Sequence, residues 1–362
     1  DYTMFPGLTR IDTTDTVWLS LLKFSPDSKI TRVDTDDRLD TVFGTLNPEY
    51  IKTLHLGIMG NNLEGIGQFK NLEELEVDTN LSAAVADVSG IEECRHLKRL
   101  RLRCGDSYTG LESLAELSEL QSLFIDSAIL EDCGFLKELS QLEELSIDTG
   151  EEADLSLLAD LPHLKRVNFL DQEYIQPEEI FRLQGVEELA IAVKEQECLE
   201  ELAAIESLKK LDLHLAVKEY GVPADVSALA RLKKLERLEL DNFWGGEMVG
   251  IESLLMLPEL KEFWLGKETA GELEPLLDPE ILTDNTGILE LAFLNCHPKN
   301  AISKEPMDFR FVARFPNIKR LYLDGCDVTD ISFVAGLEDL RICSLMDSEL
   351  LDLSPLLQCQ KL

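Results

Sequence analysis

The chain has 362 residues, 44% of them hydrophobic, and carries 34 basic against 70 acidic side chains for a net charge of −36. A polyanion of this size repels phosphate backbones and anionic bilayers, so nucleic acid is excluded as an expected partner and basic proteins are favoured. No run of eighteen apolar residues occurs, which excludes membrane insertion as a helix.

Aliphatic residues return at a nearly fixed interval. The first anchor is Leu8, in Leu8-Thr9-Arg10-Ile11-Asp12-Thr13, and the same pattern follows as Ile30-Thr31-Arg32-Val33-Asp34-Thr35. Further anchors fall at Ile51, Leu72, Leu97, Leu120, Leu142, Leu164, Val186, Leu208, Leu235, Leu260, Ile288, Ile318, Leu340 and Leu362, with spacings of 21 to 30 residues and 22 the commonest. A period of this length predicts a stack of supersecondary units sharing one core. The expected architecture is an α/β solenoid: a leucine-rich repeat right-handed superhelix, with a concave parallel β-sheet and short 3₁₀ or helical convex segments. One domain over residues 1–362, of about fifteen units, is expected.

Within each unit, period-two alternation turns the fourth and sixth residues inward and the third, fifth and seventh outward onto the concave face. Leu75/Val77, Leu100/Leu102, Leu211/Leu213 and Leu238/Leu240 follow this rule. Ten residues before an anchor, Asp-x-Ser recurs at Asp87-Val88-Ser89, Asp154-Leu155-Ser156, Asp225-Val226-Ser227, Asp330-Ile331-Ser332 and Asp352-Leu353-Ser354. The serine suits a helix N-cap, leaving room for one or two helical turns before the next strand.

The 22-residue period and the Asp-[Leu/Ile]-Ser return segment resemble the internalin-like class of bacterial leucine-rich repeat proteins, over essentially the whole chain. The resemblance implies the fold and a protein-binding scaffold, and leaves the partner open. The chain departs from the asparagine ladder expected nine residues into each unit: Asn80 keeps it, Cys296 and Cys326 substitute, and Gly105, Ala128, Gly150 and Lys194 do not. Both ends lack an evident cap, and Asp1 stands where a start methionine would, consistent with a removed leader or absent flanking residues. A monomer, or a weak dimer capped end to end, is expected.

Catalytic motifs are absent: there is no G-x-S-x-G, H-E-x-x-H or phosphate-binding glycine loop. The five histidines, His55, His96, His163, His214 and His297, fall in separate units, so neither an enzyme nor a metal or other cofactor is expected. Asp34, Asp36, Asp37 and Asp40 form a carboxylate run without the glycine and terminal glutamate of a calcium loop; it reads as a solvated acidic rim. Eight cysteines without C-x-x-C spacing behave as small core residues, which fits a reducing cytoplasm better than a disulfide framework, whereas a removed leader would place the protein outside the cell or on its surface.

Counting off the register puts sixteen carboxylates and nine Lys or Arg on the concave face. Arg99, Arg101 and Arg103 invert the sign in one unit, where lateral pairing with Glu74, Glu76, Asp78 and Asp126 is expected. Four consecutive units lengthen between 214 and 317, predicting insertions along one rim that carry Phe243 and Trp244. Trp264 and Tyr322 face outward beside them. The candidate partner-binding residues are therefore Trp264, Tyr322, Phe243, Trp244, Glu239, Asp241 and Asp324, binding an unidentified, basic protein partner. Two other functions fit the sequence, a structural spacer in a longer surface protein and an acidic inhibitor of a basic enzyme or toxin.

Overall fold

The computed structural model describes residues 7–14, 19–25, 28–37, 39–57, 63–78, 85–103, 107–130, 132–149, 155–169, 180, 183–215, 223–242, 248–266, 274–278, 280–296, 308–348, 350 and 352–362. Two compact units divide the chain, Asp1–Phe169 and Leu170–Leu362. The first contains strands β1 (Arg10–Asp12), β2 (Arg32–Thr35), β3 (Thr53–Leu56), β4 (Glu74–Asp78), β5 (Arg99–Arg103), β6 (Ser122–Leu130), β7 (Glu144–Thr149) and β8 (Arg166–Phe169). The second contains β9 (Glu188–Val193), β10 (Lys210–Leu215), β11 (Arg237–Asn242), β12 (Glu262–Gly266), β13 (Glu290–Phe293), β14 (Arg320–Tyr322) and β15 (Ile342–Ser344).

Within each compact unit the strands follow chain order in a parallel sheet, the leucine-rich repeat arrangement expected from the sequence. Every strand begins two residues after its predicted anchor. Register follows from the same count: Leu54 lies opposite Leu75 and Leu75 opposite Leu100, while Leu211, Leu238, Phe263 and Leu291 form a second such column. All of these are buried, each contributing about 1.5–3 kcal/mol by leaving water. Along β4, Leu75 and Val77 are buried while Glu74, Glu76 and Asp78 are half-buried. A repeated hydrogen bond holds the rungs together. The second and third amides of a unit converge on one carbonyl of the preceding unit, as when Lys98 N and Arg99 N donate to Glu73 O at 2.8 and 3.1 Å, and Lys261 N and Glu262 N donate to Glu236 O at the same two distances.

Over the repeats from Lys52 to Lys98 and from Glu143 to Lys261, the second position adds a column of charge. Glu73 accepts from Lys52 at 2.6 Å and from Lys98 at 3.1 Å in the first unit. In the second, Glu187 pairs with Lys209 at 2.7 Å and Glu236 with Lys261 at 2.5 Å. Sign alternates from rung to rung. The pairs lie at the surface, where water screens them and they add little to stability.

The return segments are short 3₁₀ turns, including Leu111–Glu116, Gly134–Glu138, Ser227–Arg231, Ser332–Gly336 and Ser354–Gln358. The serine of Asp-x-Ser is not the cap that the sequence suggested. The aspartate makes the bond instead: Oδ1 of Asp87, Asp225, Asp330 and Asp352 accepts from the serine amide two residues on, at 2.8–3.0 Å. A carboxylate accepts more strongly than a hydroxyl, and this Asx geometry leaves the serine hydroxyl to donate back to Asp330 and Asp352. Asp132 and Asp308 repeat the bond without the serine, to Gly134 N and Arg310 N.

Where the next unit packs on such a turn, glycine occupies the facing position. Gly110 (φ +77°) and Gly250 (φ +91°) adopt the left-handed region, and a Cβ on either would lie 2.9 and 2.8 Å from the amides of Ser89 and Ser227. Much of the lengthened stretch between 214 and 317, including Phe243 and Trp244, lies outside the described residues. What is described there includes a two-strand ladder of Ala224–Asp225 with Met248–Val249 and a helical turn at Glu274–Leu277.

Gly250→Ala is expected to cost about 2 kcal/mol, from the left-handed backbone and the collision with Ser227 N. Gly44→Ala, in the exposed interior of the helix Leu39–Thr45 with nothing within 4 Å, is expected to stabilise by up to about 1 kcal/mol. Urea-denaturation midpoints of the two variants check both signs.

Candidate functional site

The outward face of the second unit is laid out by register. The fifth-position column reads Asp212, Glu239, Trp264, Ala292, Tyr322 and Ser344 across β10 to β15. Trp264 and Tyr322 are thus two strands apart, separated by a residue with a single methyl group. Their rings close over that gap with centroids 5.3 Å apart and planes tilted by 32°, within the centroid range of favourable aromatic pairs. Ala292 beneath them is fully buried, whereas both aromatics remain half-buried. The indole Nε1 of Trp264 is covered and has no hydrogen-bond partner among the described residues.

Beside the aromatics, the third-position row is neutralised. Lys210 pairs with Glu188 at 3.0 Å, Arg237 reaches Glu262 at 4.0 Å, and Arg320 bridges Glu290 and Glu262, the latter at 3.4 Å. Glu290 is 5% exposed under that guanidinium, so β13 is buried at every position, against the expected alternation. Two large neighbours, Arg320 on one row and the Trp264–Tyr322 pair on the next, account for this.

In the fifth and seventh columns, Asp212 and Asp241 form no ion pair with a lysine or arginine among the described residues. Asp212 and Asp241 lie 3.6 and 3.5 Å from Nε2 of His214. Burial, reinforced by Glu239 and Asp241, pushes the Asp212 carboxyl up to about 6, with Arg237 opposing the shift. Gly266 makes room for Asp241, whose Oδ1 occupies the space a Cβ would need. Of the predicted carboxylates, Glu239 is held by Arg237 at 2.9 Å, and Asp324 accepts from Ser344 Oγ at 2.7 Å and Met346 N at 2.8 Å. Asp241 and Trp264 face each other diagonally on neighbouring strands. Asp212, His214 and Ala292 were not singled out from sequence. The first two stand beside Glu239 and Asp241 once strands are aligned column by column, and Ala292 is the small residue that such an alignment places between two aromatics.

In the first unit, the arginine rung pairs laterally as expected: Arg99 with Glu74 at 2.7 Å, Arg101 with Glu76 at 3.6 Å, and Arg103 with Asp78 at 3.6 Å and Asp126 at 3.3 Å. Arg101 also lies 4.2 Å over the Phe124 ring. The run from Asp34 to Asp40 is a solvated rim only in part: Asp40 is exposed and Asp36 half-buried, whereas Asp34 and Asp37 are buried. Asp34 is 7% exposed and engages Arg10, Arg32 and His55, the last at 2.7 Å, while Asp37 is 5% exposed and accepts from Leu19 N at 2.5 Å and from Thr35. Short side chains at Thr13 and Thr35, in place of core leucines, make room for this polar column. Among the described residues no group of three or more His, Cys, Asp or Glu is arranged to hold a metal ion.

Cys94, Cys133, Cys198, Cys296, Cys326 and Cys359 are buried free thiols. Burial pushes Cys94 and Cys133 up to about 12 and Cys198 up to about 11, so these remain protonated and unreactive at neutral pH. Cys296 and Cys326 fill the ladder slot: Cys296 N donates to Cys326 Sγ at 3.4 Å, and Cys326 Sγ donates to Phe293 O at 3.1 Å. The sulfur replaces the missing asparagine on both counts.

No protein-family model and no curated protein sequence matches the chain. Solved structures do. An internalin from Listeria monocytogenes matches with a TM-score of 0.50 at 19% identity, over 78% of this chain and 84% of its own. A leucine-rich repeat protein of Leptospira interrogans gives 0.58 at 18% identity, over 91% and 82%. TLR13, solved in complex with ssRNA13, gives 0.60 at 17% identity, over the whole of this chain and 58% of its own. At these identities the likeness is one of fold: the chain has the leucine-rich repeat architecture that these proteins share.

Proposed function

We propose that the protein is a non-enzymatic binding scaffold of the internalin-like class. The open face of its second unit takes a basic protein partner, with Trp264 and Tyr322 as the anchor. The observation that carries this reading is the aromatic pair itself. Two large rings stand half-exposed on a rigid sheet, near the Asp212 and Asp241 carboxylates, which form no ion pair with a lysine or arginine among the described residues. Trp and Tyr are the residues in which interface energy concentrates, and stacking across Ala292 fixes their rotamers before a partner arrives, which lowers the entropy cost of binding. A partner acceptor at the Trp264 Nε1 would also satisfy a covered donor.

Asp212, Glu239 and Asp241 orient a lysine or arginine of the partner, with Asp324 and its Ser344 bond bounding the site. Phe243 and Trp244 belong to the same proposal as flanking contacts. A second reading, inhibition of a basic enzyme or toxin, draws on the net charge of −36 and differs in predicting an association rate that falls steeply with salt.

Affinity selection with the wild-type chain, followed by titration of the captured protein against variants, tests the proposal. Trp264→Ala is expected to weaken binding about 30-fold or more, as for an interface hot spot; affinity unchanged by both Trp264→Ala and Tyr322→Ala would refute it. Affinity is also expected to fall as pH drops through about 6. A bound cation favours the ionised Asp212 that protonation removes, and Asp212→Asn should flatten this dependence. In the free protein the sign is opposite. The raised Asp212 pKa makes a stability contribution that is complete below its unfolded value and is lost as pH rises through about 6. Asp212→Asn should therefore raise the melting temperature at pH 7.5 and leave it unchanged at pH 3.

A further inference from the structure

A cavity of about 760 Å³ opens in the first unit between the Ser107–Thr109 segment on one side and Leu130 with residues 132–138 on the other. Its origin is a divergence of backbone pairing. Ser107–Thr109 pairs backward, in a two-strand parallel ladder with Val85–Asp87. β6 shifts register past Phe124, and its end pairs forward, Ile129 with Asp148 and Leu130 with Thr149. The two ladders part, and the gap between them is spanned by the Tyr108 hydroxyl, which donates to Asp126 O at 3.1 Å. Because main-chain hydrogen bonds hold both sides, the groove cannot close by a change of rotamer.

The interior is apolar. Leu130 and Phe135 are buried in its floor, and Tyr108, Leu111 and Ala115 are half-buried along its walls. Its mouth carries Glu112, Asp132 and Glu138 against a single cation, Lys137, which lies 4.0 Å from Glu138. Asp132 already accepts from Gly134 N, and Glu112 is exposed with no ion pair among the described residues. The volume falls within the roughly 300–1,000 Å³ typical of ligand sites.

We infer that this groove is a second recognition site, separate from the surface around Trp264, and that it takes a short segment of a basic protein: a large apolar side chain in the groove, flanked by lysine or arginine at the mouth. An anionic ligand meets three carboxylates. A wholly apolar one leaves Glu112 uncompensated, and a purely charged one leaves the Tyr108, Leu111 and Ala115 surface wet. Only an occupant combining both properties matches the wall and the rim together.

Fluorescence anisotropy of the full chain with a fluorescein-labelled, end-blocked Lys-Leu-Phe-Arg peptide tests this. Saturable binding is expected, at least tenfold tighter than for Lys-Ala-Ala-Arg or Glu-Leu-Phe-Glu. Ala115→Trp, which fills the groove, should weaken it at least tenfold. Glu112→Lys, at an exposed position that disturbs no packing, should weaken it several-fold even if the tryptophan variant folds poorly. Trp264→Ala should leave it unchanged. No saturable binding, indifference to both Ala115→Trp and Glu112→Lys, or loss on Trp264→Ala would each overturn the assignment.

Discussion

Parallel register between successive rungs is the constraint from which the other features follow. Within each compact unit, two amides of a repeat converge on one carbonyl of the repeat before, which fixes the stagger of neighbouring strands to a single value. With stagger fixed, the fourth residue of every unit stacks on the fourth of the next, and a column of buried leucine forms without further instruction. The outward positions are ordered by the same bonds. Arg99, Arg101 and Arg103 find Glu74, Glu76 and Asp78 because each sits directly opposite its partner. A slip of one residue would turn the leucines to water and these ions to the core.

The outward face of the second unit shows how such order creates chemistry as well as stability. Cations in the third-position row cancel the glutamates there, while the fifth and seventh columns hold carboxylates with little opposing charge. Aspartate crowding at Asp212 and Asp241 is tolerated because the sheet, not the carboxylates, sets their spacing. Stacking of Trp264 on Tyr322 follows the same logic: a methyl group at Ala292 leaves a hollow one strand wide, and the rings on either side lean in to cover it.

Strand positions were legible in the sequence because apolar periodicity reports burial directly, and all fifteen strands start where the anchors place them. Local polar bonding was not. Asp-x-Ser gave the location of each return turn but not the acceptor, since aspartate and serine both serve there and only geometry decides between them. Asp34 and Asp37 read as surface charge because carboxylates usually are; nothing in their own spacing reports the arginines, the histidine and the buried amide that surround them. The groove beside Tyr108 was invisible for a different reason. It comes from two segments of one repeat pairing with neighbours on opposite sides, and a register shift leaves no mark on a hydrophobic pattern. Asp212 was within reach, since aligning the rungs sets it beside Glu239 and two positions from Asp241.

The alternating lysine–glutamate run at the second position of the rungs from Glu143 to Lys261 bears on how an array like this is built. Where Glu187, Lys209, Glu236 and Lys261 follow one another, excising a single coil would bring two like charges side by side, whereas excising two restores the sequence of signs. Growth or shrinkage of this part of the gene by even numbers preserves the ladder and by odd numbers breaks it. The column is thus a parity rule, written in side chains, on how many copies such a tandem can gain or lose.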